Sequence, residues 1–415
     1  MLKRLNNFFE QFEIFYKLQF GFRSKYSKSL ALIYLTDIIT QSINNGDTVL
    51  GVLIDYRKAF DTVNHEILLN KLMKYGVRGL ANKWIRDYLS NRLQFTSYNR
   101  IRSSNMQITC GVPQGSIMGP FLFLCYINDL PNVSNIITPL IFADDTNLFI
   151  TGKDPNALMA TLNEELVKIS QWTDVNKLSL NTQKTKYIVF TKPRSSITIE
   201  APLLLNNDVI TRLRHVNFLG VLIDDKLTWN VHISHISKKI SKGIGIICKA
   251  KKVMECKTLR TLYFSFIHPY ITYGIEIWGR SAAVHLNTIL RLQKKAVRLI
   301  KSVNRWSESA PLFLDLEILT VYQIYQYQVL TFLYKFKKQT LPSIFFNFFE
   351  KLNPNRDTRN NSLLRVPLMN SSYSQRSLRY QGVLVWNNNV NKLHFDITYV
   401  TFKKQVRQHI MNSPA

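Results

Sequence analysis

The amino-acid sequence predicts an α+β domain followed by a helical, basic second region. Short β-branched runs alternate with helical stretches up to about residue 224, and from about Asn230 the pattern is almost wholly helical. A chain of 415 residues has length for two or three domains, and 46% hydrophobic residues with 25 Phe exclude a disordered chain. No internal repeat, low-complexity tract or long linker interrupts it.

Residues 1–46 read as helical, with a break at Gln19-Phe20-Gly21-Phe22-Arg23 and a polar turn at Asn44-Asn45-Gly46. The apolar run from Thr48 to Ile54 predicts a strand buried on both faces and ending at Asp55. A helix is expected over residues 58–74, closed by Gly76, and another around Trp84, Ile85, Tyr88 and Leu89. Gly111-Val112-Pro113-Gln114-Gly115 reads as a turn opening an apolar helix to about Leu130, which Pro131 ends. Residues 140–149 form two apolar runs around Asp144-Asp145, a hairpin with acids at its tip. Asp154-Pro155 then caps a helix to about Asn176. Strand-like runs follow at residues 186–190, 197–205 and 218–223.

Charge narrows the partner. The chain carries 54 Lys+Arg against 27 Asp+Glu, a net +27, which favours a polyanion: nucleic acid first, an anionic membrane second. Residues 226–305 hold 16 Lys+Arg and two acids, Glu255 and Glu276. Within them Ile233, Ile236, Ile240, Ile244 and Ile247 share one helical face, with Lys238, Lys242 and Lys249 opposite. A lysine-rich face is usually just solvated, but solvation does not require removing acids; such a face fits phosphate contacts without sequence specificity. No apolar run approaches the roughly 18 residues of a membrane span, and the N-terminus lacks the apolar core of a signal peptide. The four cysteines show no Cys-x-x-Cys spacing, so neither a zinc knuckle nor a disulfide framework is indicated. The expectation is an intracellular protein of the nucleus or cytoplasm.

Asp144-Asp145 alone reads as a hydrated turn, and Asp55 alone as a polar strand end. Together, acids on neighbouring strand ends resist joint ionisation unless a cation bridges them. Two divalent ions roughly 3.5–4 Å apart are the device for in-line phosphoryl transfer. Because successive strand side chains point to opposite faces, Asp144 is expected as the principal ligand and Asp145 as a supporting one.

These residues carry a family resemblance. Val52-Leu53-Ile54-Asp55-Tyr56-Arg57-Lys58-Ala59-Phe60-Asp61, the run from Gly111 to Phe123, Phe142-Ala143-Asp144-Asp145, Asn181-Thr182-Gln183-Lys184-Thr185-Lys186 with Phe190, and Phe218-Leu219-Gly220-Val221 with Asp224, Leu227, Trp229 and His232 stand in order. They resemble the successive motifs of reverse transcriptases from non-LTR retrotransposons, the jockey-like and LINE-like elements, over roughly residues 15–300. The resemblance implies a right-hand polymerase: partial fingers over 1–46, a palm over 47–224, a basic helical thumb over 225–304, and a helical C-terminal region of open role over 305–415.

It further implies that Asp55, Asp144 and Asp145 hold two Mg²⁺ ions, with Mn²⁺ as a possible substitute, for addition of dNTPs to a DNA primer on an RNA template. Phe60 would lie under the incoming sugar and reject a 2′-hydroxyl, which disfavours an RNA-synthesising relative. Gln114 and Gly115 would border the nucleotide, and Lys184 would protonate or stabilise pyrophosphate. Phe218, Leu219 and Gly220 would grip the primer, and Arg23 would contact template or nucleotide. No protein partner and no membrane are implied. Some features depart from the family: Phe142 replaces the commoner tyrosine, Gly119 replaces Ser, and the chain starts too late for an upstream fingers segment and an endonuclease domain. A second reading follows, in which the chain is a weak or inactive nucleic-acid-binding remnant.

Overall fold

In a computed structural model, which describes residues 1–192, 195, 197–352 and 363–412, the chain forms two compact units. The first comprises residues 1–31 and 47–213, the second residues 32–46 and 214 onward. The first helices are α1 (Leu2–Gln11) and α2 (Lys28–Asn44).

The first unit is built on β1 (Thr48–Ile54), whose seven residues are those the sequence marks. Gly51 within it faces Phe149 across the ladder, and a Cβ there would stand 2.7 Å from the ring. The glycine makes room for the aromatic. Next come α3 (His65–Lys74) and α4 (Gly79–Leu89), then a ribbon of β2 (Arg92–Gln94), β3 (Ser97–Tyr98), β4 (Ile101–Arg102) and β5 (Met106–Ile108). The apolar α5 (Gly119–Ile127) precedes β6 (Thr138–Phe142) and β7 (Asp145–Gly152). Then follow α6 (Pro155–Val175), β8 (Lys186–Phe190), β9 (Leu204–Leu205), β10 (Asp208–Val209) and β11 (Thr211–Arg212). The central sheet runs β11-β8-β1-β7-β6, antiparallel except β11 with β8. Asp154 caps α6, its carboxylate accepting from the Asn156 N–H at 2.9 Å.

Four expectations change here. Residues 58–74 are not one helix: a short 3-10 turn, Ala59–Asp61, is followed by a fresh start at Asn64, whose side chain accepts from the Ile67 N–H. The carbonyls of Phe60 and Val63 are taken by the N–H groups of Val112 and Gly111, so they are unavailable to a continuous helix. The apolar helix starts only at Gly119, because Ser116 Oγ donates to the Pro113 carbonyl and accepts from the Gly119 N–H, holding the loop open. Pro131 does not stop it but sits inside a second 3-10 turn, Leu130–Val133, where its missing N–H costs nothing. Of the run 197–205 only Leu204–Leu205 is a strand, and the β2–β5 ribbon had no counterpart in the sequence reading.

From residue 214 the second unit continues with β12 (His215–Phe218) and β13 (Val221–Asp224). They form a hairpin rather than the single strand expected over 218–223, because Leu219 (φ 47°) and Gly220 (φ 88°) turn the chain in two residues. Helices α7 (Asn230–Ala250), α8 (Cys256–Phe266), α9 (His268–Thr272), α10 (Ile275–Trp278) and α11 (Ala283–Ile300) follow. Beyond them lie α12 (Ala310–Asp315), α13 (Val321–Lys337), α14 (Leu378–Asn389) and α15 (Tyr399–Asn412). In α7 the five predicted isoleucines are buried, and Lys238, Lys242 and Lys249 are exposed.

Asp224 fixes the turn that leads into α7: its carboxylate accepts the N–H groups of Thr228 and Trp229, each at 2.8 Å. His232 is buried against Trp278, accepts the Leu222 N–H at Nδ1, and is held neutral by burial, its pKa lowered to about 4. These two motif residues therefore join the hairpin to the helix. Asp37 of α2 is clamped by Arg379 of α14, with Nε to Oδ1 at 2.9 Å and Nη2 to Oδ2 at 2.8 Å, and Gln41 adds a third donor. Among the described residues no helix is long and apolar enough to cross a membrane.

Candidate active site

The antiparallel pairing of β1 with β7 sets Ile54 opposite Thr146, so Asp55 and Asp145 leave the sheet at the same end. Asp144 sits beside them in the two-residue turn between β6 and β7, where Phe142 pairs with Asp145. Ala143, the other turn residue, has φ 58°, a left-handed conformation that rotates the two acids out of simple strand alternation. Both are exposed, and Asp55 is half-buried. Although Asp145 keeps solvent-accessible surface, the protein packed around its carboxyl pushes that group above the usual range by partial burial first, then by the charge of Asp144; Lys28 opposes this and Asp55 adds to it. Three carboxylates thus share one electrostatic neighbourhood.

Each is held from behind. Asn181 donates from Nδ2 to Asp55 Oδ2 at 2.9 Å and from its backbone N–H to the Asp55 carbonyl at 2.8 Å. Thr185 Oγ1 accepts the Asp55 N–H at 3.3 Å. Residues 181–185 therefore form a bracket for Asp55, while Lys184 between them is exposed and its side chain points to solvent. Beneath the turn, residues 18–20 run alongside β6: Phe20 N–H donates to the Ile141 carbonyl at 2.8 Å, and Ile141 N–H to that of Leu18 at 3.0 Å. Gln19 Oε1 accepts from both Gly21 and Ala143. A Cβ on Gly21 would fall 2.4 Å from the Ala143 nitrogen, so only glycine fits. Gly21→Ala is expected to cost roughly 1–3 kcal/mol by overpacking and to displace the acid-bearing turn. Urea unfolding is the check, and a wild-type midpoint would refute the close approach.

The loop with Gln114 and Gly115 is laced onto the segment after Asp55. Gly111, at φ 84°, would put a Cβ 2.7 Å from the Asp61 carbonyl oxygen, and His65 Nε2 bonds the Gly111 carbonyl at 2.8 Å. Gln114 Nε2 donates to Asp61 Oδ1 at 2.7 Å, and Gly115 is exposed at φ 80°. Phe60 is half-buried and stacks on Phe123, centroids 4.2 Å apart. Arg23 lies elsewhere: its guanidinium pairs with Glu10 at 2.8 Å, donates to the Tyr16 carbonyl, and covers the Tyr26 ring, with its side chain 6% exposed. It clasps α1 to the strap of residues 18–20 rather than facing the acids.

In the second unit, Phe218 and Leu219 are buried and only Gly220 of that turn is exposed. The Tyr273 hydroxyl donates to the Leu219 carbonyl, and the Gly220 N–H donates to Asn217 Oδ1 at 3.0 Å. Sequence reasoning missed Asn181 as the support of Asp55 and Asp61 as the anchor of Gln114. Each lies within a motif, so position was legible but hydrogen-bond partner was not.

Among the described residues no three Asp, Glu, His or Cys side chains form a ready metal cage. Mg²⁺ does not require one, since it binds through one or two carboxylates with water and substrate phosphates. An all-oxygen donor set in which the ionised form of Asp145 is already penalised by burial and by the charges of Asp144 and Asp55 fits such an ion.

Residues 1–223 match the reverse transcriptase (RNA-dependent DNA polymerase) family. The chain is 29% identical to the probable RNA-directed DNA polymerase from transposon BS of Drosophila melanogaster, over 77% of this chain and 36% of that protein. It is 27% identical to the RNA-directed DNA polymerase from the mobile element jockey of the same fly, over 73% and 34%. The chain thus spans about a third of the length of the curated relatives it matches. Among solved structures, telomerase from Candida albicans in complex with a TWJ fragment of telomeric RNA shows a low likeness: TM-score 0.41, 11% identity, covering 81% of this chain and 50% of that one. With the matched segment running through every acid of the site and covering more than half of its residues, the protein belongs to the reverse transcriptase family.

Proposed function

We propose that this chain is the polymerase portion of a non-LTR retrotransposon protein and copies RNA into DNA. The observation that carries the reading is the meeting of Asp55, Asp144 and Asp145 at one end of the sheet, where burial and then the charges of Asp144 and Asp55 push the Asp145 carboxyl above the usual range. In this reading residues 1–46 are partial fingers, 47–224 the palm, 225–304 the thumb, and 305–415 a helical region without an assigned role.

Asp55 and Asp144, with Asp145 in support, would hold Mg²⁺, which when bound supplies charge neutralisation for the primer 3′-hydroxyl and the triphosphate. Asn181 keeps Asp55 aimed. Gln114, fixed by Asp61, borders the nucleotide with Gly115. The exposed Lys184 is free to swing toward the pyrophosphate as a proton donor or counter-charge. The lysine face of α7 would hold duplex phosphates, giving binding that weakens steeply with salt. The turn at Leu219-Gly220 would meet the primer through its backbone, because its apolar side chains are buried.

Primer extension by the purified chain, on an RNA template with DNA primer, dNTPs and Mg²⁺, tests the reading; no extension across metals and salts would leave a binding-only remnant. The ring of Phe60, propped by Phe123, is the sugar filter. Phe60→Val is expected to raise ribonucleotide incorporation relative to dNTPs by roughly ten-fold or more, since a steric block is worth about 1–3 kcal/mol. An unchanged ratio would remove the filter role.

A further inference from the structure

The β2–β5 ribbon plays no part in the site above, and it carries a run of exposed apolar side chains. Leu93, Phe95, Tyr98, Ile101 and Met106 are all exposed, Tyr98 and Ile101 by 77% and 76%. Tyr98 and Ile101 pair across the ladder and so share a face, with the tip turned by Asn99 (φ 47°) and Arg100 (φ 69°). A two-stranded ribbon bearing uncovered apolar residues is marginal in water, and the cross-strand pair Tyr98–Ile101, exposed together on one face, marks a binding surface.

Its charge says what covers it. Residues 92–108 contain Arg92, Arg100 and Arg102 and no acid. The Arg102 guanidinium lies over the Phe95 ring at 4.9 Å, so a flat cation and an aromatic face are already assembled on the surface. Aromatic faces flanked by arginines fit unpaired bases and the phosphates between them; a duplex hides its base faces and would leave Tyr98 and Ile101 without a partner.

We infer that the ribbon of residues 92–108 binds single-stranded RNA, stacking bases on Tyr98 and Phe95 and contacting phosphates through Arg100 and Arg102. The choice of RNA over single-stranded DNA rests on the polymerase reading; the stacking chemistry does not.

The test uses the full chain and a short labelled single-stranded RNA of mixed sequence, followed by fluorescence anisotropy over a salt series. Matched single-stranded and duplex DNA serve as the other arms. Tyr98→Ser is expected to weaken RNA binding roughly ten-fold while Tyr98→Phe preserves it. Changing both Arg100 and Arg102 to Gln is expected to reduce the log–log salt slope by about 1.4, two contacts at about 0.7 each. Wild-type RNA affinity in Tyr98→Ser overturns the inference, as does an equal loss on duplex DNA. A Tyr98→Ser variant that turns a sedimenting dimer into a monomer with RNA affinity intact also overturns it, assigning the face to a second copy of the chain. Ribbon-dependent RNA binding without primer extension sinks the polymerase reading and leaves this one, whereas extension with ribbon-independent binding does the reverse.

Discussion

Asp144→Ala is expected to lower single-nucleotide incorporation by roughly three orders of magnitude, the scale on which removing one preorganised charge-stabilising group acts. The side chain projects from a two-residue turn into solvent and caps no helix. Its loss should leave the unfolding midpoint where it was. The substitution also removes the largest charge penalty on Asp145, whose carboxyl then falls back toward the ordinary range. Asp144→Asn, which keeps shape and discards charge, should be as inactive as Ala. A folded Asp144→Asn protein that still incorporates dNTPs at the wild-type rate would exclude Asp144 from the chemistry.

Arg379→Met is expected to destabilise the second unit strongly. Asp37 is buried, and burial pushes its carboxyl above the usual range even with Arg379 and Gln41 pulling it down. Without the guanidinium the carboxylate is left buried with one amide donor, a situation that costs about 3–5 kcal/mol, at the lower end here because Arg379 is itself partly exposed. The pH dependence has a definite sign. A carboxyl whose folded pKa lies above its unfolded value binds the proton more tightly when folded, so stability is gained as pH falls through the folded pKa. The variant's deficit is therefore largest near neutrality and shrinks toward acid, as Asp37 takes up a proton. Urea unfolding of wild type and variant at neutral and acidic pH measures it. Asp37→Asn with Arg379→Met should recover part of the loss. A deficit that is the same at both pH values would mean the arginine acts by packing alone.

The parts of this protein that follow from local rules were legible in its sequence. Thr48–Ile54 is a β-branched run with no competing signal, and Asp154-Pro155 is a cap that needs no tertiary partner. The isoleucine stripe of α7 is equally self-contained. Where the reading slipped, backbone groups had been claimed from a distance. The helix expected over 58–74 is broken because the loop at 111–112 takes its carbonyls, and the late start of α5 reflects a serine side chain bonding both ends of its own loop. The strand expected over 218–223 hid a turn, since Leu219 adopts a left-handed φ that no apolar pattern announces. At the site, position along the chain marked the acids, but only the fold identifies Asn181 as the group that aims Asp55. Arg23 shows the opposite: a cation near the start of the motifs whose geometry is consumed by Glu10.

The strap of residues 18–20 has a practical consequence. Without it, β6 would end the sheet with a row of open N–H and C=O groups next to the acid-bearing turn, a template onto which a neighbouring chain could add a strand. Pairing with Leu18 and Phe20 closes that edge, and the Arg23–Glu10 clasp keeps the strap down. Shortened versions of this chain made for crystallisation should therefore keep α1 and the strap together, because trimming either would trade a few residues for a sticky sheet.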